Sequence, residues 1–176
     1  MLKIHGKISH MPNDLASFFA SSQPWIAVFN TWSGPFVSIA TADHLCFKCA
    51  SSAEFESLRA MFEAESAFIY QSIISNRRIV IIKFLKPVTT ILGDIWFLEL
   101  SDQKPDKSQS SGFDHIEIFP TSGSLESLVE KIESTGQTLE KVVRPHHTTF
   151  DIAISGNFKV RLEPNALVEK IKVEEM

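Results

Sequence analysis

The chain has 176 residues, is 44% hydrophobic and carries a formal net charge of −4. That length suits one domain or a fused pair of small ones, and 14 Phe are ample for a core. Scattered Lys and Arg, partnered by Asp and Glu, speak against nucleic acid as a ligand, and no apolar run reaches the roughly 18–20 residues of a membrane span. The N-terminal stretch carries His5, His10 and Asp14 and no signal-peptide apolar region, so a cytoplasmic protein is expected.

In chain order, residues 12–33 read as helical with an interruption at Pro24, which can open a second helix ending near Gly34. Leu15, Phe18 and Phe19, then Ile26, Phe29 and Trp32, give this segment one apolar side fit to cover a sheet. A strand at 43–48, a helix at 53–65 and strands at 67–74, 78–85 and 94–100 follow. Ser101 to Gly112 is poor in apolar residues and reads as a linker. Beyond it come a strand at 114–119, a helix at 124–135 ending at Gly136, and strands near 139–143, 147–154 and 158–163; residues 165–175 suit a short final helix. The expected class is α+β: tandem β-α-β-β-β modules form a shared concave cup under an N-terminal helical cover. The division is 1–40 for the cover, 41–103 for the first module, 104–112 for the linker and 113–176 for the second module with its C-terminal helix.

The two modules are related by a repeat. Asp-His occurs at Asp43-His44 and Asp114-His115, and Phe55, Leu58 and Phe62 in the first helix answer Leu125, Leu128 and Ile132 in the second at a constant separation of 70 residues. Alternation turns each His away from the Leu45/Phe47 or Ile116/Ile118 side that packs under the helix. Two equivalent imidazoles on the open faces of two equivalent sheets point to a shared metal site. The two cysteines, Cys46 and Cys49, form a C-x-x-C pair. A separation of three in a strand sends them to opposite faces, and no second pair completes a thiolate site, so they read as small buried hydrophobes.

The order of elements, together with Thr41-Ala42-Asp43-His44, Lys83-Phe84-Leu85-Lys86-Pro87-Val88, Gly112-Phe113-Asp114-His115-Ile116-Glu117-Ile118 and Val160-Arg161-Leu162-Glu163-Pro164, resembles the vicinal oxygen chelate superfamily. This is the group of glyoxalase I, extradiol dioxygenases and bleomycin-resistance proteins, and within it the likeness is to the YecM-like family, over about residues 12–170. The resemblance implies one metal ligand from the first and one from the last strand of each module: His44, Glu99, His115 and Glu163. Alternation places Glu99 and Glu163 opposite the apolar side of their strands, as the histidines are. Some YecM-like chains carry His at the fourth position, and Glu163 lies further beyond Gly156-Asn157 than the spacing usual in relatives. Glu117, two residues after His115 on the same face, is the main rival carboxylate.

Two imidazoles and two carboxylates suit a divalent transition metal (Zn, Ni, Co, Mn or Fe(II)) with positions left for a chelating substrate. Such a site implies an isomerase, lyase or dioxygenase acting on a small molecule with adjacent oxygens, by stabilising an enediolate or related anion. Glu99, Glu163 or His147 would move the proton, while Lys48, Arg161 and Thr149 would line the cup and meet the substrate. The alternative is a small-molecule binding or sequestration protein of the same fold without chemistry. Because one chain holds both modules, a monomer is expected, with a small-molecule ligand as its partner and neither nucleic acid nor membrane.

Overall fold

The computed structural model describes residues 12–74, 76–143 and 148–169. Its first element, α1 (Leu15–Ser33), starts at Asp14, whose carboxylate accepts the Ser17 amide at 2.7 Å. The helix passes through Pro24 without the expected break. Proline removes one donor, but Phe18, Ser22, Ile26, Phe29 and Ser33 lie on one buried stripe, and burial along the whole stripe outweighs one lost hydrogen bond. A short 3₁₀ turn (Gly34–Phe36) then leads to β1 (Ala40–Lys48).

The first module continues with α2 (Ser52–Glu63), β2 (Phe68–Ile74), β3 (Arg77–Thr90) and β4 (Gly93–Ser101). The second is β5 (Gly112–Pro120), α3 (Leu125–Glu133), β6 (Glu140–Val143), β7 (Thr148–Ser155) and β8 (Phe158–Leu162). Each helix opens on a serine: Ser51 accepts from the Glu54 amide, and Ser124 and Ser127 exchange bonds as a capping box. The Phe55, Leu58, Phe62 set and its counterpart Leu125, Leu128, Ile132 are all buried, as the 70-residue repeat requires. Between the modules, Gln109 is buried and donates to the carbonyls of Cys49 and Asp102 at 2.8 and 2.9 Å, so the polar linker is tied to the first module. A helical turn begins at residues 167–169; the remainder of the expected C-terminal helix lies outside the described residues.

The strands form one mixed sheet of eight in the order β2-β3-β4-β1-β5-β8-β7-β6. In each half the first strand pairs parallel with the last, β1 with β4 and β5 with β8, and the halves join through the antiparallel β1–β5 pair. The modules are thus halves of one continuous sheet related by a pseudo-twofold between β1 and β5. Leu45, Phe47, Ile116, Ile118, Leu98 and Val160 are buried in the core cluster, under helices that cover one face. Phe18 of α1 meets Phe47 and Phe62 of the first half and Phe113 of the second at ring-centroid distances of 5.1–5.4 Å. The cover helix therefore locks both modules, leaving the other sheet face to carry the polar cluster.

Candidate metal centre

Both Asp-His pairs sit on β-bulges at the β1–β5 seam. The register jumps from Ala42↔Ile118 to Leu45↔Ile116, so Asp43 and His44 together oppose Glu117. It jumps again from Cys46↔His115 to Phe47↔Phe113, which makes Asp114 the extra residue of β5. A bulge suspends strict alternation and re-aims side chains. Each aspartate can therefore reach the histidine that follows it: Asp43 Oδ2 lies 2.8 Å from His44 Nδ1, and Asp114 Oδ2 lies 2.8 Å from His115 Nδ1.

A carboxylate can only accept, so each Nδ1 carries the proton and each Nε2 faces inward. His44 Nε2 is buried and has no hydrogen-bond partner among the described residues. Glu117 Oε1 stands 3.7 Å from His44 Nε2 and 3.5 Å from His115 Nε2, and the three residues offer ligand atoms all within 4.8 Å of one another. Donors held about 2.1 Å from a single ion sit roughly 3–3.5 Å apart, so this set fits a divalent metal after small adjustments. Glu99 Oε2 lies 3.8 Å from His44 Nε2, while its Oε1 accepts from the Cys46 thiol at 3.3 Å.

The aspartates are themselves held. Asp43 Oδ2 also accepts the Leu167 amide at 2.9 Å, and Asp114 Oδ1 pairs with Lys48 Nζ at 2.6 Å. Burial would raise the pKa of Asp114, but His115 and Lys48 outweigh it and keep the carboxyl well below the usual range. At His44 burial opposes the charged form, yet Glu117, Asp43 and Glu99 overcome it and raise the pKa to about 9. The carboxylates around His44 thus favour positive charge at this position.

The register decides which last-strand residues face the two histidines. His44 pairs with Phe97 and Cys46 with Glu99; by the same relation His115 pairs with Lys159 and Glu117 with Arg161. The pseudo-twofold therefore matches Glu99 with Arg161, and Cys46 with Glu117. Glu163 falls two residues beyond Arg161, where its amide bonds the Ile118 carbonyl, and it belongs to no cluster of metal-capable donors among the described residues. The histidines are 71 residues apart but their last-strand partners only 62, since the second half has shorter middle strands.

Of the other expected site residues, Lys48 is engaged by Asp114, and Arg161 reaches the cluster with Nη1 3.4 Å from His115 Nε2. Thr149 is fully buried on β7, on the face shared with Asp151. His147 lies outside the described residues. Asp43 and Asp114 were absent from the expected set, although the twice-repeated Asp-His dipeptide was itself a signal for both. Among the described residues no helix is long and apolar enough to cross a membrane. A mainly apolar pocket of about 220 Å³ lies between α1, Phe62 and the Phe84–Lys86 stretch; it gathers no cluster of metal-capable donors among the described residues.

No curated protein matches the chain. Among solved structures, one described as Structural Genomics, Protein EC4020 shares 21% identity and a TM-score of 0.70, over 92% of this chain and 93% of that one. A variant of Streptomyces coelicolor methylmalonyl-CoA epimerase bound to 2-nitronate-propionyl-CoA aligns at 15% identity and a TM-score of 0.46, over 72% of this chain and 99% of the other. A methylmalonyl-CoA epimerase with methylmalonyl-CoA and an ammonium ion gives the same identity and score, over 72% of this chain and 96% of that one. The YecM protein profile matches residues 9–173. With nearly the whole length matched and the tandem modules in place, the chain belongs to the YecM protein family.

Proposed function

We propose that the protein is a divalent-metal-dependent enzyme of the isomerase, lyase or dioxygenase type, acting on a small substrate with adjacent oxygens. The observation that carries this reading is the convergence of His44 Nε2, His115 Nε2 and Glu117 Oε1, with both Nδ1 atoms fixed by aspartates. An outer carboxylate on each ligating imidazole is the usual support of a metal site. His44, His115 and Glu117 would hold the ion, with Glu99, expected from the sequence as a fourth ligand, standing beside them. In this reading Glu117 replaces Glu163 as a ligand.

When bound, the ion supplies Lewis acidity toward a substrate oxygen. Asp43 and Asp114 keep the imidazoles in the tautomer that presents Nε2. Glu99 is more open to solvent than Glu117, its side chain 21% exposed against 7%. With Oε1 held by Cys46, its Oε2 is placed to take a proton from the substrate. The protein is read as a cytoplasmic monomer, and light scattering showing an obligate dimer would contradict the second point.

The test is metal analysis of protein purified without a His tag and dialysed against a mild chelator. Metal-loaded protein is then screened for turnover of 2-oxo acids, hydroxyaldehydes, hemithioacetals and catechols. Retention of about one ion per chain by wild type, lost in His44→Ala and His115→Ala, supports the site; equal retention by all three removes it. Metal-dependent turnover supports the enzyme. Binding without turnover, with affinity unchanged in Glu99→Gln, leaves a small-molecule binder.

A further inference from the structure

The two walls of the cup are not alike. Where β4 places Glu99 beside Cys46, β8 places Arg161 beside Glu117. The Arg161 guanidinium is locked in plane, because Nε and Nη2 donate to Asp151 Oδ1 and Oδ2 at 2.8 and 2.9 Å. Lys159 Nζ lies 3.4 Å from the same Oδ2. Asp151 is thus shared by two cations, and both of its oxygens are committed to them.

The remaining corner, Nη1, stands 3.4 Å from His115 Nε2 and 3.9 Å from Glu117 Oε1. His115 Nδ1 is already engaged by Asp114, so the Nε2 lone pair can serve either the guanidinium or a metal ion. When an ion takes both that lone pair and Glu117 Oε1, the Nη1 hydrogens lose these acceptors while still facing the cup. The Arg161 side chain is only 16% exposed, which leaves little water to replace the lost bond. A largely buried guanidinium edge in that position requires an anionic oxygen.

We propose that Arg161 is the anchor for the carboxylate of a small ligand seated against the His44–His115–Glu117 cluster. The ligand class is therefore small 2-oxo and 2-hydroxy acids, in which one of the two adjacent oxygens belongs to a carboxylate, rather than neutral diols, ketones or catechols. This rests on the metal-site reading above and adds an orientation to it. The carboxylate lies on the β8 side, and the neighbouring carbon faces Glu99 on the opposite wall, beside the buried Ile81 that pairs with Glu99. Lys48, committed to Asp114, does not share the task.

The experiment uses the full chain, with and without Ni(II), and two probes: oxalate, and oxamide, which keeps the skeleton without the charge. Ni(II) affinity is measured first by calorimetry for wild type, Arg161→Gln and Arg161→Lys, and then each probe is titrated. The expected result is a wild-type preference for oxalate over oxamide of at least tenfold. That preference falls at least tenfold in Arg161→Gln, while Ni(II) affinity stays equal or rises because a competitor for His115 Nε2 is gone. Arg161→Lys keeps the charge without the fork and loses at least threefold; it decides the matter if Arg161→Gln does not fold. Unchanged oxalate preference in the variants, or equal binding of the two probes by wild type, overturns the anchor. If wild type binds no Ni(II), the metal reading fails separately, and the anchor stands or falls on whether the metal-free chain prefers oxalate in an Arg161-dependent way.

Discussion

Replacing Glu117 by Gln removes the carboxylate that faces both imidazole nitrogens, at 3.7 and 3.5 Å. Unit charges about 4 Å apart interact by about 4 kcal/mol at an effective dielectric of 20, hence roughly 8 kcal/mol for a divalent ion. Desolvation of a buried carboxylate offsets several kcal/mol of that, which leaves on the order of 3–4 kcal/mol, or a factor of about 10²–10³ in affinity. Proton competition makes the loss depend on pH. With the His44 pKa near 9, an ion binding at pH 7 must displace a proton at a cost of about 2.7 kcal/mol. Glu117 is the largest influence raising that pKa, so Glu117→Gln reduces the competition as well as the attraction. The variant should therefore lose the full factor near pH 9 and roughly tenfold less near pH 7. The assay is a competition titration with a coloured chelator at both pH values, with Glu163→Gln in parallel. Affinity within threefold of wild type at pH 9 in Glu117→Gln, with a large loss in Glu163→Gln, would refute the register argument.

Asp43→Asn and Asp114→Asn should each weaken metal binding about 10–100-fold while leaving the chain folded, since each touches the cluster through Nδ1 of the neighbouring histidine and its other contact, the Leu167 amide or Lys48, lies outside it; dialysis stoichiometry and far-ultraviolet circular dichroism check the two halves of that statement. Cys46→Ala should leave metal content unchanged, because the thiol bonds Glu99 and neither imidazole; a loss equal to that of His44→Ala would contradict it. Without metal, the protonated His44 stabilises the fold: its pKa is raised from 6.5 to about 9, so the contribution is complete below about pH 6.5 and disappears as pH rises through 9. Metal-free protein should accordingly melt at a lower temperature at pH 9.5 than at pH 6, with a smaller difference in His44→Gln. Phe18→Ala should cost about 3–5 kcal/mol in urea unfolding, because its ring is fully buried between Phe47, Phe62 and Phe113; a loss below 1 kcal/mol would show that α1 is dispensable.

The sequence by itself determined what repeats and what alternates. Helices and strands carry their apolar residues at periods of 3.6 and 2, so β1 through β8 and the Phe55/Leu125 helix pair were legible within a few residues at most ends, as was the approach of His44 to His115, whose ring centroids lie 6.2 Å apart. These are local properties, set by which side of an element must leave water. Three things needed the tertiary structure. Pro24 reads as a break, but the sheet beneath α1 buries residues on both sides of it and keeps the helix whole. Strict alternation would put Asp43 and Asp114 on the face opposite the histidines, but bulges at the β1–β5 seam bring each within 2.8 Å of the neighbouring Nδ1. A bulge depends on which residues oppose each other across strands, and no single strand records that. That Arg161, and not Glu163, is the register counterpart of Glu99 has the same kind of reason: pairing with β5 sets the register of β8, and the shorter β6 and β7 shift the numbering by nine residues relative to the first module. Side-chain period is a property of one strand, whereas register belongs to a pair of strands and exists only once the sheet has formed.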